Sequence, residues 1–364
     1  MIGIFTDDFY PPVGGMGEHV FSVYRAMDDD AIVFSPAENR LPNHIRVHPP
    51  FHKRLYNISY SIWLNTKLGM CIDLYDLDRV HLHCGVGGLF LLSKQRVPVI
   101  ITCHHTYWQQ SIYINSQRWK KVFIPFERAT YQRSDRVICV SRDTRDVLVR
   151  EYGIEETKVT VIPNGVNTEN YFPMDGVDKE PRSLLYVGRI DGRKGVDFLV
   201  SAIPAVRDRY PDVKLYIGGK GEATGEIRRI ISENGLSRNV DLLGYIPEEQ
   251  LNTWYNRVEC VVVPSRLEGF GLTVIEAMAA GTPVIGTRVD GIKTVIDHRQ
   301  NGLLVSPESS DDLAERIIQV FASKELREKL RQGGLRSVVE RYTLKQFTDR
   351  TKEVLESAKR YDYH

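Results

Sequence analysis

The sequence predicts an α/β fold of two similar halves, each a parallel sheet covered by helices on both faces. The chain has 364 residues, which is too many for one ordinary core and suits two domains. Short apolar runs of strand length alternate with helical patterns along the chain. A polar segment rich in helix and strand breakers, residues 173–181, separates one such series from the next.

The apolar runs predict the strands. The first series gives Ile2–Thr6, Ala31–Ser35, Arg79–His83, Val97–Cys103, Arg136–Ser141 and Val159–Pro163. The second gives Ser183–Gly188, Lys214–Gly218, Asp241–Gly244, Val258–Pro264, Val284–Thr287 and Gly302–Val305. Runs of this kind that alternate with helices are typical of parallel sheets buried on both faces.

The chain from Ser310 onward is helical in pattern. One apolar stripe consists of Leu313, Ile317, Val320 and Phe321, and a later amphipathic segment carries Phe347, Val354 and Leu355. We therefore predict an N-terminal domain over residues 1–172, a C-terminal domain over 173–345, and a last helix over 346–364 that packs back on the N-terminal domain.

Composition excludes several classes of protein. The 48 basic and 47 acidic residues leave a net charge of +1, so no global field draws the chain to nucleic acid. The five cysteines are scattered and form no C-x-x-C pair, which argues against a zinc or redox site and suits a reducing cytoplasm. The opening apolar run is short and lacks a basic leader, and no stretch has the length of a membrane span, so we expect a chain that is neither exported nor integral.

Ligand groups of a parallel sheet lie in loops at the carboxyl ends of its strands. The first such loop, residues 11–18, holds Gly14, Gly15 and Gly17 just before a helix predicted to begin near Glu18. Glycines let the backbone approach a ligand, and a helix N-terminus offers free N–H groups to an anion. A simple tight turn and a phosphate or sugar loop both fit this segment.

The second loop, residues 186–195, places cations at a predicted helix start. Arg189 and Lys194 lie five residues apart across a turn, so both side chains can reach one diphosphate, the Arg as a fork and the Lys as a point charge. Basic side chains at a helix N-terminus oppose the helix dipole. This cost favours an anion site over a solvated basic turn.

The third loop follows the very apolar run Val261–Val263 and leads into a helix that presents N–H groups from Phe270 to Thr273. Glu268 precedes this helix and Glu276 lies about two turns further on, so the two carboxylates can hold different hydroxyl-bearing parts of one ligand. Glu276 falls in an otherwise apolar helix, where an unused charge is costly. Glu268 is also compatible with an ordinary partner of the helix dipole.

The fourth candidate is the pair His104 and His105 at the end of a buried strand. A histidine in this position is compatible with a packed, hydrogen-bonded core residue and with a catalytic one. The packed role is the more frequent one at a strand end, and the position at the cleft edge adds weight to the catalytic role.

These residues carry a resemblance to a known family. Glu268 and Glu276 form an E-x7-E spacing within E-G-F-G-L-T-V-I-E-A-M-A-A-G-T-P-V-I. Further motifs occur in family order: P-P-V-G-G-M-G-E-H, S-D-R-V-I-C-V-S, I-P-N-G-V, V-G-R-I-D-G-R-K-G and L-G-Y-I. Over essentially its whole length the chain resembles the retaining GT-B glycosyltransferases of family four, the glycosyl transferases group 1.

The resemblance implies two Rossmann-like domains that face each other across a cleft and bind a nucleotide-sugar, with the nucleotide held mainly by the C-terminal domain. Arg189 and Lys194 would hold the diphosphate and stabilise its developing charge. Glu276 would hold the ribose, and the backbone near Tyr245 and Ile246 would meet the base. The remaining implied donor contacts are Glu268 with the loop Gly269, Phe270, Gly271, Leu272 and Thr273 on the sugar, Gly15 on the distal phosphate, and His104 near the reacting carbon.

The implied reaction moves a hexose-type sugar from a nucleoside-diphosphate sugar, a UDP-sugar before a GDP-sugar, to a hydroxyl of a glycan, glycolipid or small molecule. Retention without a covalent nucleophile is expected to follow a front-face displacement, which needs positioning and charge stabilisation. Arg189 and Lys194 would already neutralise the diphosphate, so a divalent ion is dispensable. Asp28–Asp30 is expected to be a solvated loop, not a set of metal ligands, so we expect no metal and no cofactor. Asn164 is expected to shape the turn between the domains.

The acceptor side is expected in the N-terminal domain. Residues 39–72 contain no acidic side chain but hold Arg40, Arg46, Lys53, Arg54 and Lys67, the histidines 44, 48 and 52, and Phe51, Tyr56, Tyr60 and Trp63. An anionic acceptor, an anionic membrane surface and a solvated basic loop all fit this stretch. We therefore expect a cytoplasmic protein, with peripheral contact at the inner membrane face as one reading of the segment.

Two other functions fit the same fold. A GT-B nucleotide-sugar 2-epimerase would need additional carboxylates at the reacting carbon, and the order of the motifs suits a transferase better. A catalytically silent nucleotide-sugar-binding partner would have no reason to keep His104, Arg189, Lys194, Glu268 and Glu276 together.

Overall fold

The computed structural model describes residues 1–10, 15–27, 30–50, 56–84, 90–113 and 115–358. The contacts of the chain divide it into two compact units. Unit 1 consists of Met1–Asn164 with Lys345–His364, and unit 2 of Gly165–Leu344. Each unit contains one sheet whose described strand pairs are all parallel, which confirms the predicted α/β class.

Unit 1 is built on a seven-stranded sheet in the order β3-β2-β1-β4-β5-β6-β7 among the residues described. Its elements up to residue 161 are β1 (Ile2–Phe5), α1 (Gly15–Ala26), β2 (Ala31–Ser35), β3 (His44–Arg46), α2 (Tyr56–Leu74), β4 (Arg79–Cys84), β5 (Val99–Cys103), α3 (Tyr107–Tyr113), α4 (Ile124–Arg133), β6 (Arg136–Cys139), α5 (Arg142–Arg150) and β7 (Val159–Val161). A 3-10 helix, Asn115–Phe123, joins α3 to α4. All five residues of β5 are buried, as expected for a central strand covered on both faces.

Strand β3 was not predicted. It is three residues long, lies at the edge of the sheet, and none of its residues is fully buried. The strand is held by pairing with β2, including the hydrogen bond from the Val33 N–H to the Asn43 carbonyl at 2.8 Å. A short edge strand buries little apolar surface, so its sequence carries no apolar run.

Unit 2 is built on a six-stranded sheet in the order β10-β9-β8-β11-β12-β13. Its elements are β8 (Glu180–Val187), α6 (Val196–Arg209), β9 (Lys214–Gly218), α7 (Thr224–Glu233), β10 (Val240–Gly244), α8 (Glu248–Arg257), β11 (Val258–Val263), α9 (Leu272–Ala279), β12 (Val284–Thr287), α10 (Ile292–Val295), β13 (Leu303–Val305), α11 (Ser310–Ala322) and α12 (Lys324–Arg341). The predicted stripe on α11 is buried in the core of this unit. Strands β8 and β11 are neighbours, which brings the second and third predicted loops side by side.

The chain passes between the units at residues 164–165 and 344–345, so residues 165–172 lie in unit 2, although the sequence assigned them to the first domain. The reason is a backbone pairing: the Val166 N–H donates to the Tyr342 carbonyl at 2.8 Å, and the Leu344 N–H donates to the Val166 carbonyl at 2.9 Å. A Cβ on Gly165 would lie 2.5 Å from the Thr343 carbonyl oxygen, so this approach requires glycine.

The last helix, α13 (Leu344–Ser357), continues into unit 1. Its Phe347 and Leu355 are buried, and the Leu355 carbonyl accepts a hydrogen bond from Arg79 Nη1 at 2.7 Å. Residues 359–364 of the predicted segment lie outside the described residues. Among the helices that the structure describes, none combines the length and apolarity needed to cross a bilayer.

Candidate active site

The loop after β8 is folded by its own side chains. The Asp191 carboxylate caps the 3-10 helix Gly192–Lys194 by accepting from the N–H groups of Arg193 at 3.0 Å and Lys194 at 3.2 Å. Gly195 then takes a left-handed conformation, with φ of 66°, at the start of α6. The cap turns the loop so that the Lys194 side chain can reach the neighbouring strand end.

Lys194 and Glu268 form the central contact of the site. Lys194 Nζ lies 2.6 Å from Glu268 Oε2, and the two side chains are only 19% and 16% exposed. Ser265 Oγ donates to the same carboxylate oxygen at 3.2 Å. Burial alone would raise the pKa of Glu268, but the charges of Lys194 and Arg193 outweigh it and hold the pKa below its ordinary value. Glu268 is therefore an anion fixed among donors.

Arg266 ties the two loops together. Its backbone N–H donates to the Arg193 carbonyl at 2.8 Å, and its Nη1 donates to the Gly192 carbonyl at 2.7 Å. The guanidinium also forms a two-pronged pair with the Asp197 carboxylate, at 2.8 and 2.7 Å. This residue was not singled out from the sequence, because its partners become its neighbours only through the pairing of β8 with β11.

Arg189 and Arg193 give the loop two further cations. The Arg189 side chain is 56% exposed, and its Nε lies 3.8 Å from Asp191 Oδ2. The Arg193 side chain is only 13% exposed, and its Nη2 also lies 3.8 Å from that oxygen. Arg189 is therefore open to solvent and to a ligand, as a diphosphate contact requires. Arg193 acts on Glu268 electrostatically and was not predicted as part of the site.

The loop from Gly269 leads into α9, whose N-terminus is open. Its first residues are Leu272 and Thr273, and Gly271 precedes them with φ of 97° and no capping side chain. A side chain at Gly271 would be strained in this left-handed region. An uncapped helix N-terminus presents N–H groups and a positive dipole end, which suits an electron-rich ligand group beside Lys194.

Glu276 lies within α9 and is half buried. Its Oε2 accepts a hydrogen bond at 2.7 Å from the Tyr255 hydroxyl, whose ring is fully buried. Burial first, and then the Glu276 charge, raise the pKa of Tyr255 well above its ordinary value, so the tyrosine is a fixed donor. The sequence pointed to the carboxylate but not to this partner.

Glycines let the ends of β8, β9 and β10 approach each other. A Cβ on Gly219 would lie 1.8 Å from the Gly188 carbonyl oxygen, and the Ile246 side chain fills the place where Gly218 would carry one. Ile246 is buried, whereas the neighbouring Tyr245 side chain is 70% exposed. Residues 245–246 therefore lie beside the end of β9, with the Ile246 side chain packed inward and the Tyr245 side chain in solvent.

Unit 1 holds the predicted residues Gly15 and His104. Gly15 begins α1, and the Gly17 N–H donates to the Asp8 carboxylate at 3.1 Å. The rest of the predicted loop, residues 11–14, lies outside the described residues, as do Asp28 and Asp29. Because it accepts the hydrogen bond from the Gly17 N–H, Asp8 caps the start of α1.

His104 lies in a cluster of buried imidazoles with His19 and His83. His83 Nδ1 is 3.5 Å from His104 Nε2, and the rings of His19 and His104 have centroids 4.7 Å apart. Burial first, and then the neighbouring histidines, hold the pKa of His104 well below 6.5. His104 is therefore neutral at pH 7. Among the described residues, these three histidines have ligand atoms close enough, within 4.8 Å, to share a metal ion.

Asn164 supports this cluster. Its Oδ1 lies 2.8 Å from His19 Nδ1, which fixes the proton on Nδ1 and leaves the lone pair on Nε2. Asn164, which the sequence predicts to shape the turn between the domains, is the last residue of unit 1 before the chain enters unit 2.

Much of the basic segment 39–72 is occupied by internal contacts. Arg46 pairs with Glu38 at 3.1 Å, and His44 Nε2 lies 2.9 Å from Ser35 Oγ. Tyr60 is buried and donates to the Phe34 carbonyl at 2.7 Å. Residues 51–55, with Phe51, His52, Lys53 and Arg54, lie outside the described residues, and so does the side chain of Tyr56. Arg40, His48 and Lys67 are exposed.

Family models match both halves of the chain. The model of the family Glycosyltransferase Family 4 matches residues 13–170, and that of Glycosyl transferases group 1 matches residues 167–336. An uncharacterized glycosyltransferase of Methanocaldococcus jannaschii is 30% identical over 335 residues that span 90% of both chains. The D-inositol 3-phosphate glycosyltransferase of Pseudarthrobacter chlorophenolicus is 30% identical over 264 residues, 67% of this chain and 62% of that one.

A solved structure shows the same fold. Anabaena HepE in complex with UDP-glucose superposes with a TM-score of 0.79 at 18% identity, over 98% of this chain and 99% of that one. The two sheets and the family matches define a GT-B glycosyltransferase. This chain belongs to the glycosyl transferases group 1, the family-four glycosyltransferases.

Proposed function

We propose that this chain is a retaining glycosyltransferase that moves a hexose-type sugar from a nucleoside-diphosphate sugar to an acceptor hydroxyl without a metal ion. The observation that carries the proposal is the partly buried Lys194–Glu268 pair beside the uncapped N-terminus of α9. In the proposed role, the Lys194 cation would bind a phosphate and the neighbouring Glu268 anion would bind sugar hydroxyls. UDP is the nucleotide we favour, with GDP second, and the UDP-glucose complex of the similar Anabaena protein supports this choice.

The residues of unit 2 would divide the donor between them. Arg189 is exposed and free to close on the pyrophosphate, while Lys194 would be shared between Glu268 and a phosphate oxygen. Glu276, oriented by Tyr255, would hold the ribose, and the backbone at Tyr245 and Ile246 would contact the base. The contacts in unit 1 that the proposal includes are the Gly15 N–H to the distal phosphate and neutral His104 to the sugar.

The proposed chemistry needs no covalent nucleophile. The bond between the anomeric carbon and the departing phosphate oxygen breaks while the acceptor oxygen bonds to the same face of that carbon. The acceptor proton passes to the departing phosphate oxygen. Positioning and charge stabilisation supply the catalysis, and the cations near the pyrophosphate give the leaving group the neutralisation that a divalent ion provides in other enzymes.

The acceptor proposed here carries a negative charge. Exposed Arg40 and Lys67 remain in a stretch without acidic side chains. A relative at 30% identity is named for an inositol phosphate acceptor, which supports the proposal. We also propose a cytoplasmic location, which the scattered cysteines predict.

A thermal-shift screen of the full chain against nucleoside diphosphates, followed by incubation with the matching nucleotide-sugars and chelator, tests the proposal. UDP should stabilise the chain by about 2.7 kcal/mol at a hundredfold excess over its dissociation constant, and slow release of UDP from a UDP-sugar should persist with chelator. Nucleotide binding with conversion to a 2-epimer would indicate the epimerase. Binding without any turnover would indicate a silent partner, and no binding would contradict all three.

A further inference from the structure

A surface of unit 1 that is separate from the candidate active site residues carries exposed aromatic and basic side chains. It lies on the 3-10 helix Asn115–Phe123 and the first turn of α4. The exposed fractions of its apolar side chains are 61% for Trp119, 70% for Val122 and 50% for Phe126. We refer to these three residues with Arg118 and Lys121 as the Trp119 platform.

The two aromatic side chains of the platform, Trp119 and Phe126, are joined by ring contacts beneath them. The Trp119 ring lies 5.9 Å from that of Phe123, which in turn stacks on Phe90 at 6.0 Å. Phe90 also contacts the ring of exposed Phe126 at 6.1 Å. Trp119 and Phe126 therefore stand at the two ends of one aromatic row. Contiguous apolar surface of this kind marks an interaction site, whereas single exposed apolar residues do not.

A buried lysine supports the platform from the inside. Lys120 is 6% exposed, bonds to the Gln110 side chain, and holds its ammonium 5.4 Å from the Tyr107 ring centroid and 5.9 Å from that of Trp119. The inward lysine anchors the indole without covering its outer side. The Trp119 ring is therefore exposed to solvent on one side and contacts the buried Lys120 ammonium on the other.

The charge around the platform is positive. No acidic residue occurs between Asp78 and Glu127, and Glu127 itself is buried against Tyr107 and Tyr152. Arg118 and Lys121 are exposed, and neither pairs with any carboxylate that the structure describes. Exposed tryptophan and phenylalanine flanked by unpaired cations suit the interface of a bilayer that contains anionic lipid.

We propose that the Trp119 platform docks unit 1 on an anionic phospholipid surface. The aromatic row would enter the headgroup region while Arg118 and Lys121 meet lipid phosphates, and no helix of the described residues need cross the bilayer. The proposal moves membrane contact away from residues 39–72, where His44, Arg46 and Tyr60 are engaged in internal contacts. It does not depend on the proposed transfer reaction.

Co-sedimentation of the full chain with vesicles tests this surface, with no nucleotide present. The chain should bind phosphatidylcholine vesicles that contain phosphatidylglycerol, bind phosphatidylcholine alone weakly, and lose binding as salt is raised. The double variants Trp119→Ser with Val122→Ser, and Arg118→Gln with Lys121→Gln, should each weaken binding roughly tenfold or more. All four positions are exposed, so the melting temperature should stay close to that of the parent chain.

The matched control is Met70→Ser with Leu74→Ser, two exposed apolar residues on α2 of the same unit. This variant should bind as the parent chain does. Trp119→Phe should retain binding but lose most of the blue shift of tryptophan emission. Three outcomes would each overturn the proposal. These are an absence of binding to anionic vesicles, equally strong binding to neutral vesicles, and a loss of binding in the α2 control variant alone. Release of UDP from a UDP-sugar in solution reports the proposed function separately.

Discussion

At the scale of single residues, Lys194 and Glu268 are expected to have opposite effects on the affinity for a nucleotide. Lys194→Ala removes a charge-assisted contact to phosphate, so UDP should bind about tenfold or more weakly. Glu268→Gln frees the Lys194 charge from its partner, which now lies 2.6 Å away, so UDP should bind at least as tightly as in the parent chain. Isothermal titration with UDP measures both affinities.

Turnover should fall in both variants. Loss of one preorganised charged contact typically costs about a hundredfold or more in rate, while the free energy of unfolding should change far less because both side chains are partly exposed. Arg189→Ala is expected to behave as Lys194→Ala does. Equal losses of turnover and of stability would show that these residues are structural. A change of UDP affinity in the same direction in Lys194→Ala and Glu268→Gln would contradict the assigned roles.

The buried histidines of unit 1 make its stability depend on pH. Burial first, and then His19, lower the pKa of His81 to about 3, whereas the unfolded chain takes up this proton near pH 6.5. The stability contributed by neutral His81 is therefore present above pH 6.5 and is lost as the pH falls, by about 2 kcal/mol between about pH 7.5 and about pH 5.

Denaturant unfolding of the parent chain and of His81→Gln at these two pH values measures this loss. The comparison of the two chains isolates His81, because Glu127 and Asp7 have the opposite effect on stability as the pH falls. Burial raises the pKa of their carboxyls to about 7 and about 6, so the folded state takes up those protons before the unfolded state does. Exposed His48, changed to Gln, is the control. An unchanged pH dependence in His81→Gln would show that His81 titrates normally in the folded chain.

At the scale of elements, Gly195 allows the loop after β8 to pack on the end of β11. Its φ is 66°, and a Cβ there would lie 2.1 Å from the Pro264 carbonyl oxygen and 2.3 Å from the Phe198 ring. Gly195→Ala should therefore cost about 3 kcal/mol or more and displace Lys194 from Glu268. Thermal unfolding and UDP titration measure the two effects.

Two glycines of unit 2 separate the causes of this loss. Gly192→Ala adds a methyl group to open space three residues away without a positive φ, so its stability should stay close to that of the parent chain. Gly235→Ala meets no neighbour but has φ of 60°, so it should cost only the backbone strain, about 1 kcal/mol. If Gly195→Ala is no worse than Gly235→Ala, the contact with Pro264 is not a constraint.

The elements with continuous apolar runs were predictable, and the details of the site were not. Strands β2, β9 and β12 have the bounds that the sequence predicted, because a buried strand must be apolar along its length. The contact between Lys194 and Glu268 depends on β8 and β11 being neighbours, and Arg266 depends on the same pairing. Strand order is set by packing of the whole unit, which no local pattern records.

At the scale of the whole molecule, the boundary between the units follows contacts that are distant in sequence. Val166 bonds to Tyr342 and Leu344, so the two stretches of chain that leave unit 2 lie side by side within it. The polar segment 173–181 looked like a linker, but β8 already begins at Glu180. Breaker residues indicate where regular structure stops, whereas pairing across the chain decides which unit a residue joins.

Hydrogen exchange of the full chain with and without UDP tests which unit holds the nucleotide. Protection should rise in unit 2 at residues 189–195, 244–246 and 269–273, because bound phosphate and base would occupy the open N–H groups at these strand ends and slow their local opening. Strand β3 and helix α2 of unit 1 should exchange as before. Protection confined to unit 1 would contradict the assignment of the nucleotide to unit 2, and protection spread evenly over both units would indicate global stabilisation without a localised contact.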